Sequence, residues 1–234
     1  MKAVIIAAGN GTRLWPSTNK TPKTLLPLGN GTILSNIMSN LSAAGVDEFF
    51  IVIGFGGEKI REYLTKNNSF GHKVLFVENN EYHKGNGISV LAAKAALQNQ
   101  EFILSMSDHI VPFKAVKMVV ESKAKQNLLL VDKRIDQIFD IDDATKVWID
   151  NTKILKIGKN IPEYNAIDCG IFRLNPRFFD AMSEQLKHDR ESISAAIEIL
   201  IRNGDMKAVV MDSAARWIDI DTPQAYDHAQ KMVF

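Results

Sequence analysis

The sequence predicts a doubly wound α/β fold with a mainly parallel sheet and a small β-rich insertion in its second half. Three observations lead there. Short apolar runs rich in β-branched residues alternate with stretches of helical spacing, the pattern of βαβ units. These runs are continuously apolar rather than alternating, as strands covered on both faces are. Beyond residue 133 the rhythm changes to closely spaced strands around turn residues.

The first run, residues 2–8 (KAVIIAA), ends at Gly9 and reads as a buried strand. A polar stretch containing glycines and prolines fills residues 9–31. Residues 32–44 then place Ile33, Leu34, Ile37, Met38 and Leu41 at helical spacing, and Gly45 ends the helix. FFIVIGF at 49–55 is a strand followed by a helix near 58–66, and HKVLFVE at 72–78 leads through a loop to a helix near 88–97. EFILSMS at 101–107 precedes a helix near 113–126 and the strand NLLLVDK at 127–133. TKVWID at 145–150 and KILKIGK at 153–159 flank Asn151-Thr152, a hairpin turn. AIDCGIFRL at 166–174 is a strand, followed by helices near 176–187 and 192–203. Short strands at 206–211 and 216–220 precede a last helix from Thr222. With no linker, internal repeat or low-complexity segment, residues 1–234 read as one domain with halves 1–133 and 134–234.

Composition narrows the function. A chain of 234 residues with 46% hydrophobic content can bury a sizeable core. Its 28 basic and 27 acidic residues leave a net charge of +1. That balance excludes a broad basic surface for nucleic acid, and an acidic tail as well. The one cysteine, Cys169, cannot form an internal disulfide, which suits a reducing cytoplasm. The opening MKAVIIAAG is too short an apolar run for a signal peptide. No stretch reaches the roughly 18 apolar residues of a membrane span, so a soluble cytoplasmic protein is expected.

The chemistry concentrates in residues 7–29, AAGNGTRLWPSTNKTPKTLLPLG. A dinucleotide site would want G-x-G-x-x-G and an acid ending the second strand. Here Leu14 replaces the third glycine and the second strand ends IVIGF, which disfavours a nicotinamide-dependent oxidoreductase. A P-loop string is absent. The third reading is a loop that brings backbone N–H groups and two cations onto a triphosphate. Small residues Ala8, Gly9 and Gly11 let the backbone approach phosphates closely. Thr12 adds a hydroxyl, Arg13 a planar donor fork and Lys23 a compact charge. A G-x-G standing alone would be a plain turn; Arg13, Pro22 and Lys23 at this spacing argue otherwise.

Asp108 follows the strand EFILSMS and should emerge at its carboxyl end, where open α/β sheets bind ligands. Mg²⁺ there takes one or two carboxylates plus phosphate oxygens. The bland alternative is an N-cap for the helix near Phe113. Asp219 and Asp221, in RWIDIDTP, alternate along a short strand and share a face. Their bland alternative is a solvated strand end, with Asp221 or Thr222 capping the last helix.

G-x-G-T-R-L followed by P-K-x-L-L-P closely resembles the signature of the sugar-phosphate nucleotidyltransferase superfamily, and the likeness extends over nearly the whole chain. The resemblance implies a Rossmann-like fold of the nucleotide-diphospho-sugar transferase kind, with a nucleotide-binding half (1–133) and an acceptor-binding half (134–234). It puts the triphosphate on Arg13 and Lys23, and catalytic Mg²⁺ on Asp108 with one or both of Asp219 and Asp221. ENNEYHKGNGISVLAAK (78–94), LSMSDHI (104–110), DIDDATKV (140–147) and KIGKNIPEYNAIDCGIF (156–172) look most like CTP:inositol-1-phosphate cytidylyltransferases. The Gln-Pro string usual in thymidylyl- and uridylyltransferases is absent. R-L-W-P at 13–16 echoes mannose-1-phosphate guanylyltransferases, which usually begin S-G-G where this chain has A-A-G.

By the same resemblance Glu78, Asn86, Gly87 and Ser89 line the nucleobase or acceptor side, and Lys133, Lys159 and Asp168 address the acceptor's phosphate and hydroxyls. Lys133 and Lys159 could equally be solvated lysines, and His109 a bystander. Cys169 reads as a packed thiol, Trp148 and Trp217 as sheet residues. The expected reaction transfers CMP from CTP to inositol 1-phosphate with release of pyrophosphate. Alternatives are a hexose 1-phosphate, phosphocholine or a phosphonate as acceptor with another nucleoside triphosphate, or a catalytically inactive regulatory subunit on the same fold. A homo-oligomer is compatible with all of these. Some relatives carry a fused membrane phosphotransferase; with none here, the next enzyme would be a separate chain.

Overall fold

The computed structural model describes residues 1–14 and 21–232. Trp15 and Pro16 of the R-L-W-P string lie outside the described residues. The strands are β1 Lys2–Ala7, β2 Pro27–Leu28, β3 Gly31–Thr32, β4 Glu48–Ile53, β5 Lys73–Glu78, β6 Phe102–Met106, β7 His109–Ile110, β8 Asn127–Asp132, β9 Lys146–Asp150, β10 Lys153–Gly158, β11 Ala166–Leu174, β12 Met206–Val210 and β13 Ile218–Asp219. The helices are α1 Ile33–Ala43, α2 Gly57–Lys66, α3 Asn86–Ala92, α4 Lys94–Leu97, α5 Phe113–Val120, α6 Arg177–Leu186, α7 Ile193–Arg202 and α8 Pro223–Ala229.

Nine strands form one sheet in the order β5-β4-β1-β6-β11-β8-β12-β10-β9, so both halves of the chain share it. β1 pairs in parallel with β4 on one side and β6 on the other. Strand order therefore switches at β1, which opens a crevice beyond the carboxyl ends of β1 and β6. The direction changes at β11, which runs antiparallel to both β6 and β8. The sheet is thus parallel in its first half and mixed in its second. The β9–β10 hairpin turns as expected at Asn151-Thr152, with Asn151 at φ 52°, a conformation asparagine tolerates.

The run KAVIIAA is continuously apolar because the sheet is covered on both sides. Ala3, Ile5 and Ala7 pack with α1 residues Ile33, Ile37 and Leu41. Val4 and Ile6 pack on the other face, with Phe178, Phe179 and Ile197 of α6 and α7. Each such valine, isoleucine, leucine or phenylalanine side chain contributes about 1.5–3 kcal/mol when fully buried. Among the described residues, no helix is long and apolar enough to cross a membrane.

Caps decide where helices begin. Thr32 and Ser35 form a reciprocal capping box for α1, Ser192 caps α7 and Thr222 caps α8 ahead of Pro223. Asp108 and Asp221 therefore cap neither helix: α5 starts after Pro112, and of the two caps considered for the last helix Thr222 is the one used. The helix expected near 88–97 is divided into α3 and α4, with a tight bond of 3.1 Å from Ala93 N–H to the Val90 carbonyl.

The helix expected to reach residue 126 stops at Val120. Buried Arg173, reaching across from β11, donates to the carbonyls of Ser122 at 2.5 Å, Val119 at 3.4 Å and Ala124. A cation on the last carbonyls of a helix satisfies groups the helix leaves open. Arg173→Met should therefore cost about 2 kcal/mol, the worth of charge-assisted hydrogen bonds lost to buried carbonyls. The urea unfolding midpoint measures it; an unchanged midpoint would show those carbonyls satisfied some other way.

The strand expected at 216–220 is only Ile218–Asp219, and it leaves the main sheet. It pairs with β7 in a separate ribbon whose register sets Asp219 opposite His109. The Ile220 N–H donates to the Asp108 carbonyl at 2.9 Å. This ribbon builds the site.

Candidate active site

The crevice holds a cleft of about 360 Å³ and an adjoining cavity of about 170 Å³, which meet at Gly9, Gly11, Lys23, Asn86, Met106 and Asp108. Gly9 and Gly11 come from the loop after β1, and Asp108 from the end of β6. They are neighbours because β1 and β6 pair directly.

Lys23 is the centre. Its Nζ lies 2.6 Å from Asp108 Oδ2 and also bonds Asp221. Arg13 bonds Asp221 with one nitrogen and Asp143 at 2.5 Å with the other. Asp143 in turn holds Lys159 at 2.6 Å. Burial lowers the proton affinity of Lys23, but Asp108 and Asp221 outweigh it, and its pKa lies above the ordinary lysine value. Burial alone would raise that of Asp108; Lys23 and His109 outweigh it and hold the carboxylate well below the usual range.

His109 sits between two carboxylates, with Nδ1 2.7 Å from Asp108 and 3.7 Å from Asp219. Burial opposes its protonation, but Asp219 and Asp108 win and lift its pKa to about 9. Asp219 is pushed the other way, up to about 7, by burial together with repulsion from Asp108 and Asp221. Asp219 Oδ1 is buried with no hydrogen-bond partner. Ligand atoms of Asp108, His109 and Asp219 all lie within 4.8 Å of one another. An orphaned carboxylate oxygen next to a second carboxylate fits a hard divalent cation, which takes oxygen ligands.

Most residues picked out from the sequence converge here. Gly9, Gly11, Thr12, Arg13, Lys23, Asn86, Asp108, Lys159, Asp168, Asp219 and Asp221 line the larger cleft, and Ser89 lines the smaller cavity. Ala8 is buried beneath the loop, its carbonyl accepting from the Phe55 N–H at 3.0 Å. Burial lifts the Asp168 carboxyl to about 6, against a bond at 2.7 Å from the Gly170 N–H.

Three residues expected in the site are elsewhere. Glu78 ends the sheet-edge strand β5, exposed, and is held by Arg61 at 3.0 Å. Lys133 is exposed, whereas its neighbour Asp132 is buried and bonded to Arg134 and Trp217. Gly87 is packed under the loop before α7, where an added Cβ would lie 2.5 Å from Met182 Sδ and 2.6 Å from the Glu191 carbonyl. Asn86 lines the cleft, yet its Oδ1 also accepts from the Ile193 N–H at 2.9 Å.

The structure gives partners to residues the sequence left open or did not single out. His109 bonds Asp108 and faces Asp219. Trp217, read as a sheet residue, stacks on the His109 ring at 5.5 Å and donates from Nε1 to Asp132 at 3.0 Å. Asp143 lies within the string DIDDATKV, but nothing local distinguishes it from Asp140 or Asp142. Cys169 is a packed thiol as expected, fully buried.

The chain has known relatives in sequence and in fold. A bifunctional IPC transferase and DIPP synthase of Aquifex aeolicus is 33% identical over 98% of this chain and 51% of its own length. Its counterpart in Archaeoglobus fulgidus is 32% identical over 99% of this chain and 43% of its own. The chain thus spans about half the length of the curated relatives it matches. The solved inositol-1-phosphate CTP transferase of T. maritima superimposes with a TM-score of 0.84 at 27% identity, covering 100% of this chain and 97% of that one. The family model described as nucleotidyl transferase matches residues 2–137, a stretch holding Arg13, Lys23 and Asp108. A match over more than half the sequence makes this chain a member of the nucleotidyl transferase family.

Proposed function

We propose that this chain transfers CMP from CTP to inositol 1-phosphate, forming CDP-inositol and pyrophosphate, with Mg²⁺ as the metal. The observation that carries nucleotidyl transfer is the buried Lys23 ammonium, brought by the glycine-rich loop onto Asp108 and Asp221. Cations for phosphates and carboxylates for a metal meet there at the β1/β6 edge. The printed names of the Aquifex, Archaeoglobus and T. maritima proteins support the choice of CTP and inositol 1-phosphate. The lone buried Cys169 fits a cytoplasmic setting.

An anionic oxygen of the acceptor phosphate attacks the α-phosphorus as the bond to pyrophosphate breaks. That oxygen needs no general base, so positioning and charge neutralisation supply the catalysis. Lys23 faces the α-phosphate and Arg13 the departing pyrophosphate. Lys159 draws in the acceptor dianion, and Asp168 orders its hydroxyls. Mg²⁺ held by Asp108 and Asp219, with Asp221 beside them, would neutralise charge on the triphosphate.

The smaller cavity suits a pyrimidine. Ser89 Oγ there accepts a bond of 2.9 Å from Asn79 Nδ2, while Asn79 Oδ1 accepts from the Glu81 N–H at 2.9 Å. The Ser89 hydroxyl proton is thereby left to donate to a base oxygen or nitrogen. Gly87 and Asn86 shape this side by packing, and Ala8 with Thr12 completes the loop.

Pyrophosphate release from CTP, UTP, GTP, ATP and dTTP, each with Mg²⁺ and inositol 1-phosphate, tests the proposal. Release with CTP alone, and only with acceptor, is expected. Silence with inositol 1-phosphate but turnover with a hexose 1-phosphate or phosphocholine would move the acceptor. Silence throughout would favour a regulatory protein.

Proton competition tests the metal. Mg²⁺ binds the ionised carboxylate, and the Asp219 pKa is about 7. Mg²⁺ affinity should therefore fall about tenfold from pH 8 to pH 6, with protons released on binding. Calorimetry in buffers of different ionisation enthalpy reads both; a flat profile would remove Asp219 from the metal site.

A further inference from the structure

Charges alternate in single file along the cleft: Lys159, Asp143, Arg13, Asp221, Lys23, Asp108. Asp143 is the carboxylate of the file farthest along it from Asp108, and it is not among the residues grouped to hold a cation. Its two oxygens each take one cation, Oδ2 the Arg13 Nη1 at 2.5 Å and Oδ1 the Lys159 Nζ at 2.6 Å. A phosphate group presents paired oxygens to cations in the same way.

We propose that Asp143 is a resident anion that holds Arg13 and Lys159 between turnovers and surrenders both to the phosphates of the substrates. This rests on the nucleotidyltransferase reading, in which those two cations take phosphates. Asp108 and Asp219 then receive a divalent cation, whereas Asp143 receives none. The exchange is cheap: Arg13 is 52% exposed, Lys159 53% and Asp143 34%, so water screens each pair before phosphate replaces it. The carrier is suited to yielding. No regular element spans Ile138 to Thr145, and this stretch lines the cleft along much of its length. Phe139 clips it to α8 by stacking on His228 at 4.9 Å while remaining 46% exposed. Asp143 thus keeps two phosphate ligands, 146 positions apart in the chain, oriented and charge-balanced between turnovers.

The sign of one effect tests this. Inorganic tripolyphosphate is titrated by calorimetry, without metal, into the full chain and its variants. Asp143→Asn is expected to bind tripolyphosphate about threefold to tenfold more tightly than wild type, two screened ion pairs no longer competing. Asp143→Glu, which keeps the charge, should stay within about twofold of wild type on the same scale. Asp140→Asn removes an equal charge from the same stretch, at a residue with no ion pair among the described residues. It should shift binding by less than about twofold. Weaker or unchanged binding by Asp143→Asn overturns the inference, because a residue that only supports Arg13 and Lys159 must weaken phosphate binding when lost. An equal gain from Asp140→Asn also overturns it, by making general electrostatics the cause. Absence of binding by wild type overturns the phosphate roles of Arg13 and Lys159 themselves, and this inference with them.

Discussion

Asp108→Ala is expected to lower turnover by about a thousandfold while the fold persists. The side chain bonds Lys23 at 2.6 Å and His109 at 2.7 Å, and it belongs with Asp219 to the group that could hold a metal ion. Its removal leaves Lys23 bonded to Asp221, so the ammonium keeps one anionic partner although the cleft loses a negative charge. What disappears is the carboxylate that would carry metal against the triphosphate. Because that charge acts most strongly as the transition state forms, kcat should fall much further than KM rises. Steady-state pyrophosphate release, with circular dichroism as the check on folding, reads both. A variant keeping a tenth of wild-type turnover would remove Asp108 from the centre of the mechanism.

Gly87→Val should cost on the order of 3 kcal/mol of stability, at the upper end for overpacking. The Gly87 N–H donates to the Glu191 carbonyl at 2.9 Å, and an added Cβ would meet that same carbonyl at 2.6 Å. Valine cannot keep the bond and relieve the contact together. Its neighbours tie the same seam: Gly85 N–H donates to Glu191 Oε2 at 2.9 Å, and Asn86 Oδ1 accepts from the Ile193 N–H. Chemical denaturation should show the loss, accompanied by a raised KM for the nucleotide as Ser89 on α3 moves. Wild-type stability would mean that the glycine serves close approach of ligand, as the resemblance had suggested, and not packing.

K-G-N-G shows how a motif can be visible while its purpose is not. The string is as conspicuous as the first loop, and both contain glycine beside a polar residue. Gly9 has open space where a side chain would stand, whereas Gly87 is pressed against Met182 and Glu191. Only the positions of residues about a hundred places later separate the two cases. Glu78 and Lys133 went astray for a related reason. Each ends or follows a strand, as Asp108 does, but β5 is at the sheet edge and β8 is separated from β6 by β11. Which strand ends border the crevice is a property of strand order, which local periodicity does not contain.

The elements themselves were legible because their causes are local. Burial on both faces writes a continuous apolar run into β1, helical spacing marks α1, and Thr222-Pro223 announces α8. Arg13, Lys23 and Asp108 could be singled out because phosphate and metal chemistry restrict residue type at the ends of such strands, and the fold brings them to one cleft. The ion pairs that turn these residues into a site join positions 85, 130, 198 and 208 residues apart. Asp143 meets Arg13, His109 meets Asp219 and Trp217 meets Asp132 only through long closures of this kind, the ribbon that sets Asp219 opposite His109 among them. An aspartate reads the same in any stretch of sequence; the fold decides which cation it meets and how much water lies between them.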